Sequence, residues 1–239
     1  MKRNIRLTVA TNVFIAVLLL IVGAICFFPL GVSTAGKLSD RVYYEGNRES
    51  NYVSLMFNVY WGTEYIPEIL DTLDEYGVKA TFFIGGSWAD DNAEMLREIV
   101  NRGHERGNHG YFHKDQDTLS YEKNVEEIRV CGELVYTLTG VQPTLFAPPS
   151  GAYSEDTVNA ADALGYKTIL WSKDTIDWRD HDRSLIISRA TKDVSGGDLI
   201  LMHPTAETAQ ALASILLDYS QKGLEEVPVS VNISGIEKA

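Results

Sequence analysis

An α/β fold built on a parallel sheet is predicted by three features of the chain. From Tyr52 onward, short apolar runs alternate with amphipathic stretches. The connections between them are short. The composition, 45% hydrophobic and 23% charged, suits a chain with a sizeable buried core. Alternation of this kind packs helices on parallel strands, in an open sheet or a closed barrel.

The apolar run Tyr52–Asn58 reads as a strand and the amphipathic stretch Glu64–Tyr76 as a helix. Lys79–Gly85 is a strand and Asp91–Asn101 a helix. Tyr121–Thr139 is a long helix, and Thr144–Ala147 a strand. Glu155–Leu164 is a helix and Lys167–Ser172 a strand. Arg183–Val194 is a helix and Asp198–His203 a strand. Glu207–Gln221 is the last helix and Val227–Asn232 the last strand. The folded domain is thus expected over 52–232, with a tail at 233–239.

Residues 1–36 stand apart. Lys2, Arg3 and Arg6 precede an uncharged stretch from Leu7 to Gly36. Its apolar heart, Val13 to Val32, is about the ~20 residues that span a bilayer. The cations on one side predict a single-pass helix at the cell membrane, with the domain on the extracytoplasmic side. The small residues Ser33-Thr34-Ala35 leave the alternative of a cleaved signal and a secreted protein. Residues 37–51 are polar and read as a linker. An exported domain holding Cys131 alone forms no internal disulfide, and that thiol reads as a small core residue. The net charge of −12 argues against nucleic acid as a partner.

The most informative stretch is Gly103-His104-Glu105-Arg106-Gly107-Asn108-His109-Gly110-Tyr111-Phe112-His113. His109 and His113 are four residues apart, a spacing that on a helical turn stacks two imidazoles for a divalent metal. In parallel sheets the active groups sit at the C-terminal strand ends. Polar or aromatic clusters fall at five such ends: Asn58 to Gly62, His109 to His113, Pro148 to Gly151, Asp174 to Trp178, and His203. They converge on one site.

These residues give the chain a resemblance to the polysaccharide deacetylases of the NodB-homology type, carbohydrate esterase family 4. It covers roughly residues 52–232. His109 and His113 match the second motif, and Leu199-Ile200-Leu201-Met202-His203 the fifth. Asp174-Thr175-Ile176-Asp177-Trp178 matches the fourth. Ala147-Pro148-Pro149-Ser150-Gly151 matches the third in part, and Ala80-Thr81-Phe82-Phe83-Ile84 fits a flanking phrase. The resemblance implies a distorted (β/α) barrel that removes N- or O-acetyl groups from a glycan such as peptidoglycan. It implies a Zn²⁺ site with His109 and His113 as ligands, and His203 as catalytic acid.

The first motif departs from the pattern. The family has Phe-Asp-Asp-Gly, and an ungapped match puts the two aspartates on Asn58 and Val59. In the family the first is the catalytic base and the second a metal ligand. An asparagine amide does not titrate, and valine offers no donor atom. The family's third-motif arginine falls on Ala147 and its tyrosine on Ser150. Asp177, tied to that arginine in relatives, is then expected as a substitute base or ligand. The alternative is that it pairs with Lys173 or Arg179, or caps the turn. Tyr60, Trp61 and Trp178 read as sugar contacts or as packing, and Asn58, Pro148 and Ser150 complete the expected substrate surface. A metal-dependent hydrolase with a remodelled, weak zinc site is expected. The alternative is an inactive member that binds glycan or a cell-wall assembly partner.

Overall fold

The computed structural model describes residues 12–17, 38–236 and 238. Residues 12–17 are helical. The rest of the expected membrane segment, with its small-residue stretch, lies outside the described residues. Among the described residues no helix is long and apolar enough to cross a membrane.

The second unit begins at Leu38. Its strands are β1 (Val42–Tyr43), β2 (Tyr52–Val59), β3 (Thr81–Ile84), β4 (Glu105–Asn108), β5 (Leu145–Phe146), β6 (Lys167–Ile169), β7 (Lys173–Asp174), β8 (Leu199–Met202) and β9 (Glu225–Glu226). The main sheet runs β1-β6-β5-β4-β3-β2-β8-β7, and β9 pairs with the start of β2. Every pairing is parallel. Among the described residues β1 and β7 do not meet, so the expected barrel is a curled half-barrel.

The helices are α1 (Ile66–Glu75), α2 (Gly86–Asp91), α3 (Ala93–Asn101), α4 (Tyr121–Thr139), α5 (Glu155–Ala163), α6 (Asp177–Asp180), α7 (Arg183–Thr191), α8 (Ala206–Gln221) and α9 (Val229–Asn232). The period-2 pleat of β2 sends Leu55, Phe57 and Val59 to one face and Met56 and Asn58 to the other. The first set joins the core cluster shared with α1 and α8; Met56 packs inside the curl with Phe83 and Leu201. Each fully buried Phe or Leu of this kind contributes about 1.5–3 kcal/mol. Cys131 is buried in the first cluster, its thiol pushed up to about 12 by burial.

Three expectations change. Residues 38–51 are part of the folded unit rather than a linker. β1 pairs with β6, and Arg48 forms an ion pair with the buried Asp198 at 2.9 Å. The helix expected over Asp91–Asn101 runs over Ala93–Asn101, and a separate short helix, Gly86–Asp91, precedes it; Asn92, with φ −128° and ψ 39°, breaks the two apart. The strand expected over Val227–Asn232 is mostly helix. Pro228 fixes its start, and Val229 and Ile233, four apart, both enter the inner core. The Val229 N–H donates to Thr81 Oγ1 and Asn232 Nδ2 to Ser54 Oγ, so α9 plugs the end of the curl opposite the strand C-termini.

His104 is an expense built into the core. It is 2% exposed, with Nδ1 accepting the Ala80 N–H and Nε2 without a partner among the described residues. Burial lowers its pKa from 6.5 to about 4. Between those values the unfolded chain takes up a proton that the folded chain refuses, so stability falls as pH drops from about 6.5 toward 4. The expected loss is on the order of 2–3 kcal/mol. His104→Asn keeps an acceptor for Ala80 without titrating. Urea unfolding between these pH limits is expected to show a shallower pH slope in that variant; equal slopes would refute the assignment.

Candidate functional site

At the C-terminal ends of the strands lies a cavity of about 400 Å³. Its wall is built from the ends of β2, β4, β5, β6, β7 and β8. Asn58, His109, His113, Ser150, Asp174 and His203 line it, with Tyr60, Trp61, Trp171, Leu201 and Trp178.

His109 and His113 leave the end of β4 on a loop, not on the expected helical turn. β4 is polar by sequence, Glu-Arg-Gly-Asn, and carries no apolar periodicity. It holds its place because a Cβ at Gly107 would come within 2.3 Å of the Phe83 ring, so the glycine lets Phe83 pack across it. After β4 the chain reverses. Gly110 takes a φ of 72° and His113 one of 52°. A bulky residue in that region is strained, and the strain is held by the surroundings. Glu127 on α4 does the holding. It is 5% exposed, and its Oε2 accepts the N–H of both Tyr111 and Phe112, at 3.0 and 2.8 Å. The Tyr111 amide is therefore engaged within the loop's own support.

The loop brings the two rings to 5.0 Å between centroids, inclined at 71°. His109 Nδ1 lies 2.7 Å from the Ala147 carbonyl, so Nδ1 carries the proton and Nε2 is the lone-pair atom. Burial, with repulsion from His113, lowers the His109 pKa to about 3. Burial lowers that of His113 as well. Tyr60 packs its ring 4.6 Å from His113.

Across the cavity, Asp177 holds His203. Asp177 Oδ1 lies 2.8 Å from His203 Nδ1, and Oδ2 accepts the His203 backbone N–H at 2.6 Å. Thr208 Oγ1 donates to Oδ2 at 2.6 Å and the Trp178 N–H to Oδ1 at 2.9 Å. Trp61 stacks parallel to the His203 ring at 6.0 Å. The expected substitute base is thus fully buried with both oxygens engaged, and it does not line the cavity. Asp177 pairs with neither Lys173 nor Arg179. Its two oxygens hold the ring and the backbone N–H of His203.

Asn58 occupies the expected wall position, 4% exposed, and its Oδ1 has no hydrogen-bond partner among the described residues. Val59 is buried in the core cluster between sheet and helices. Ala147 is buried and contributes its carbonyl to His109. For zinc, the donor set is therefore two imidazoles, with hydrocarbon at the third ligand's place. Among the described residues, no three His, Cys, Asp or Glu side chains are grouped to hold a metal ion. A three-ligand zinc centre needs a third donor grouped with the two imidazoles, and among the described residues none is, so the residues do not fit it.

Of the expected sugar contacts, Trp61 and Trp178 are exposed at the rim, at 42% and 49%. Ser150 lines the cavity with a φ of 56°. Pro148 is buried behind it and does not line the wall. Two residues, Trp171 and Glu127, escaped sequence reasoning, and Asp174 was expected only as part of a cluster, with no role of its own. Asp174 is the cavity's carboxylate, raised in pKa by burial, and accepts the Ile176 N–H. Its place in the fourth motif was the available signal. Trp171 lies two residues past β6, half-buried, inside the stretch expected as the strand Lys167–Ser172. Glu127 lay inside a helix, with nothing in its spacing to mark it.

Residues 45–169 match the family profile described as polysaccharide deacetylase. The uncharacterised protein YlxY of Bacillus subtilis is 36% identical over 78% of this chain, which spans 59% of that protein's length. A peptidoglycan-N-acetylglucosamine deacetylase of Bacillus cereus is 30% identical over 79% of this chain and 91% of its own length. A solved structure of a CE4 family pseudoenzyme from Bacillus anthracis superposes with a TM-score of 0.78 at 33% identity, covering 80% of this chain and 68% of that one. A mutant of it, described as having restored enzymatic activity, superposes with the same score at 31% identity, covering 80% and 70%.

Glu127→Ala is expected to leave the Tyr111 and Phe112 N–H groups without an acceptor, costing about 2–4 kcal/mol. Urea unfolding measures the loss, and hydrogen exchange at those two amides is expected to accelerate more than the global change. Unchanged protection at both would show that the loop stands without Glu127.

Proposed function

We propose that this chain, which belongs to the polysaccharide deacetylase family, binds an acetylated cell-wall glycan without cleaving it. One observation carries this: the base position is Asn58, a side chain that cannot take a proton from water, while Val59 packs into the core. The likeness to a CE4 family pseudoenzyme supports it. The site keeps what binding needs. Trp61 and Trp178 present exposed aromatic faces suited to sugar rings. His203, held through Nδ1 by Asp177, lines the cavity. The family's work on peptidoglycan in relatives makes that polymer the favoured ligand. Membrane attachment through residues 1–36, with the domain outside, suits the same role, and the cations Lys2, Arg3 and Arg6 support it.

A hydrolytic reading has one observation in its favour. Asp174 faces the cavity with a pKa raised by burial, as a general base would. Its oxygen already accepts the Ile176 N–H, and no cation is paired with it among the described residues.

The test is direct. The full chain is expected to bind N-acetylglucosamine oligomers by calorimetry and to release no acetate from them. Trp178→Ala is expected to weaken binding about tenfold, one lost sugar–aromatic contact. Chelation of divalent metal is expected to leave affinity unchanged, since the donor set is not built around an ion. Acetate released in proportion to enzyme, and lost in Asp174→Asn, would establish the hydrolase instead.

A further inference from the structure

Trp178 is carried by α6, a single turn of helix bracketed by two left-handed residues, Ile176 at φ 54° and His181 at φ 47°. For a β-branched residue such as isoleucine that conformation is an outlier, and it persists only where the surroundings impose it. Trp178 sits between the two, 49% exposed at the rim. As a sugar contact it needs an indole already in place, because ordering a ring on binding costs affinity.

The restraint comes from α7. Arg189 reaches both ends of the segment. Its Nη1 donates to the Thr175 carbonyl at 2.9 Å, and its Nη2 to Asp180 Oδ2 at 2.5 Å. Asp180 also accepts from Arg179, Nε to Oδ1 at 2.6 Å and Nη2 to Oδ2 at 3.2 Å. The Arg179 guanidinium in turn lies over the Trp178 ring, 5.8 Å from its centroid. A chain of contacts thus runs from α7 through one carboxylate to the face of an exposed indole. A fully exposed ion pair would have little hold. Arg189 and Asp180 are partly buried, at 27% and 20% side-chain exposure, and the planar guanidinium fixes direction as well as distance. Neither residue lines the cavity.

We propose that Arg189 is a positioning residue for glycan recognition, acting through Asp180 and Arg179 to hold the Trp178 indole as a preformed platform, one face covered by Arg179 and the other left for a sugar. The inference rests on the glycan-binding role above and adds the device that readies the rim for it. The competing account is that Arg189 only ties α7 to the segment and stabilises the fold. The two accounts differ in what happens once Trp178 is gone.

Calorimetry on the full chain, with an N-acetylglucosamine tetramer as probe, would run a double-mutant cycle. Arg189→Ala and Asp180→Asn are each expected to weaken binding about three- to tenfold, and no more than Trp178→Ala does. In the Trp178→Ala background neither is expected to weaken it further. Asp180→Asn keeps the size and shape of the side chain, so it carries the test if Arg189→Ala unfolds. A second readout needs no ligand. In fluorotryptophan-labelled protein the Trp178 fluorine resonance, assigned by its loss in Trp178→Ala, is expected to shift or broaden in both variants, while those of Trp88 and Trp171 stay. Additive losses in the cycle, an affinity indifferent to Trp178→Ala, or an unmoved Trp178 resonance would overturn the role of Arg189 while leaving glycan binding in place. Failure of the unaltered chain to bind the tetramer, or release of acetate from it, would overturn the function beneath.

Discussion

The site depends first on the buried carboxylate of Asp177. It is fully buried and takes four hydrogen bonds, two of them from His203. A carboxylate out of water is tolerable only when its lone pairs are filled. Filling them joins three segments: the end of β8, the first turn of α8 through Thr208, and α6 through Trp178. The orientation of His203 follows from that junction. So does the stacking of Trp61, whose ring lies parallel to the imidazole.

The opposite wall is different in kind. There the groups are neutral: the His109 imidazole held unprotonated by burial, the Asn58 amide, and the Ala147 backbone. By family resemblance this wall would carry a carboxylate base and an arginine. Both are replaced together, by Asn58 and Ala147, and neither charge is left buried without its partner. Removing one alone would cost several kcal/mol. Asparagine preserves the shape of aspartate, so the cavity remains while its proton chemistry does not.

Much of this was legible in the sequence. The parallel sheet, the long helix Tyr121–Thr139 and the convergence of strand-end clusters followed from periodicity and topology alone. The departures have local causes. β4 was hidden because its residues are polar and its strand pairing is made by backbone groups between β3 and β5. The His109–His113 pair was expected on a helix because its spacing is helical. Two positive-φ residues and Glu127 achieve the same approach on a loop. The role of Asp177 could not be read from spacing, because its partners, His203 and Thr208, lie 26 and 31 residues away. Val59 was legible as a residue without a donor, but its place in the outer core depended on the pleat reaching the strand's last residue.

An intact histidine–carboxylate pair is weak evidence for turnover in this fold. Replacing His203 would strip Asp177 of its Nδ1 contact and leave a buried charge short of a partner. The pair thus has a structural reason to exist whether or not a proton ever moves through it. The same holds for the loop of His109 and His113, which Glu127 fixes through backbone groups that any side chains would share. Asn58 is different. No core contact or hydrogen bond within the described residues uses its amide oxygen, so the fold gives it no reason to be polar. Its amide oxygen is left without a partner once the described structure has been accounted for, so the choice of asparagine at this wall position is not explained by packing.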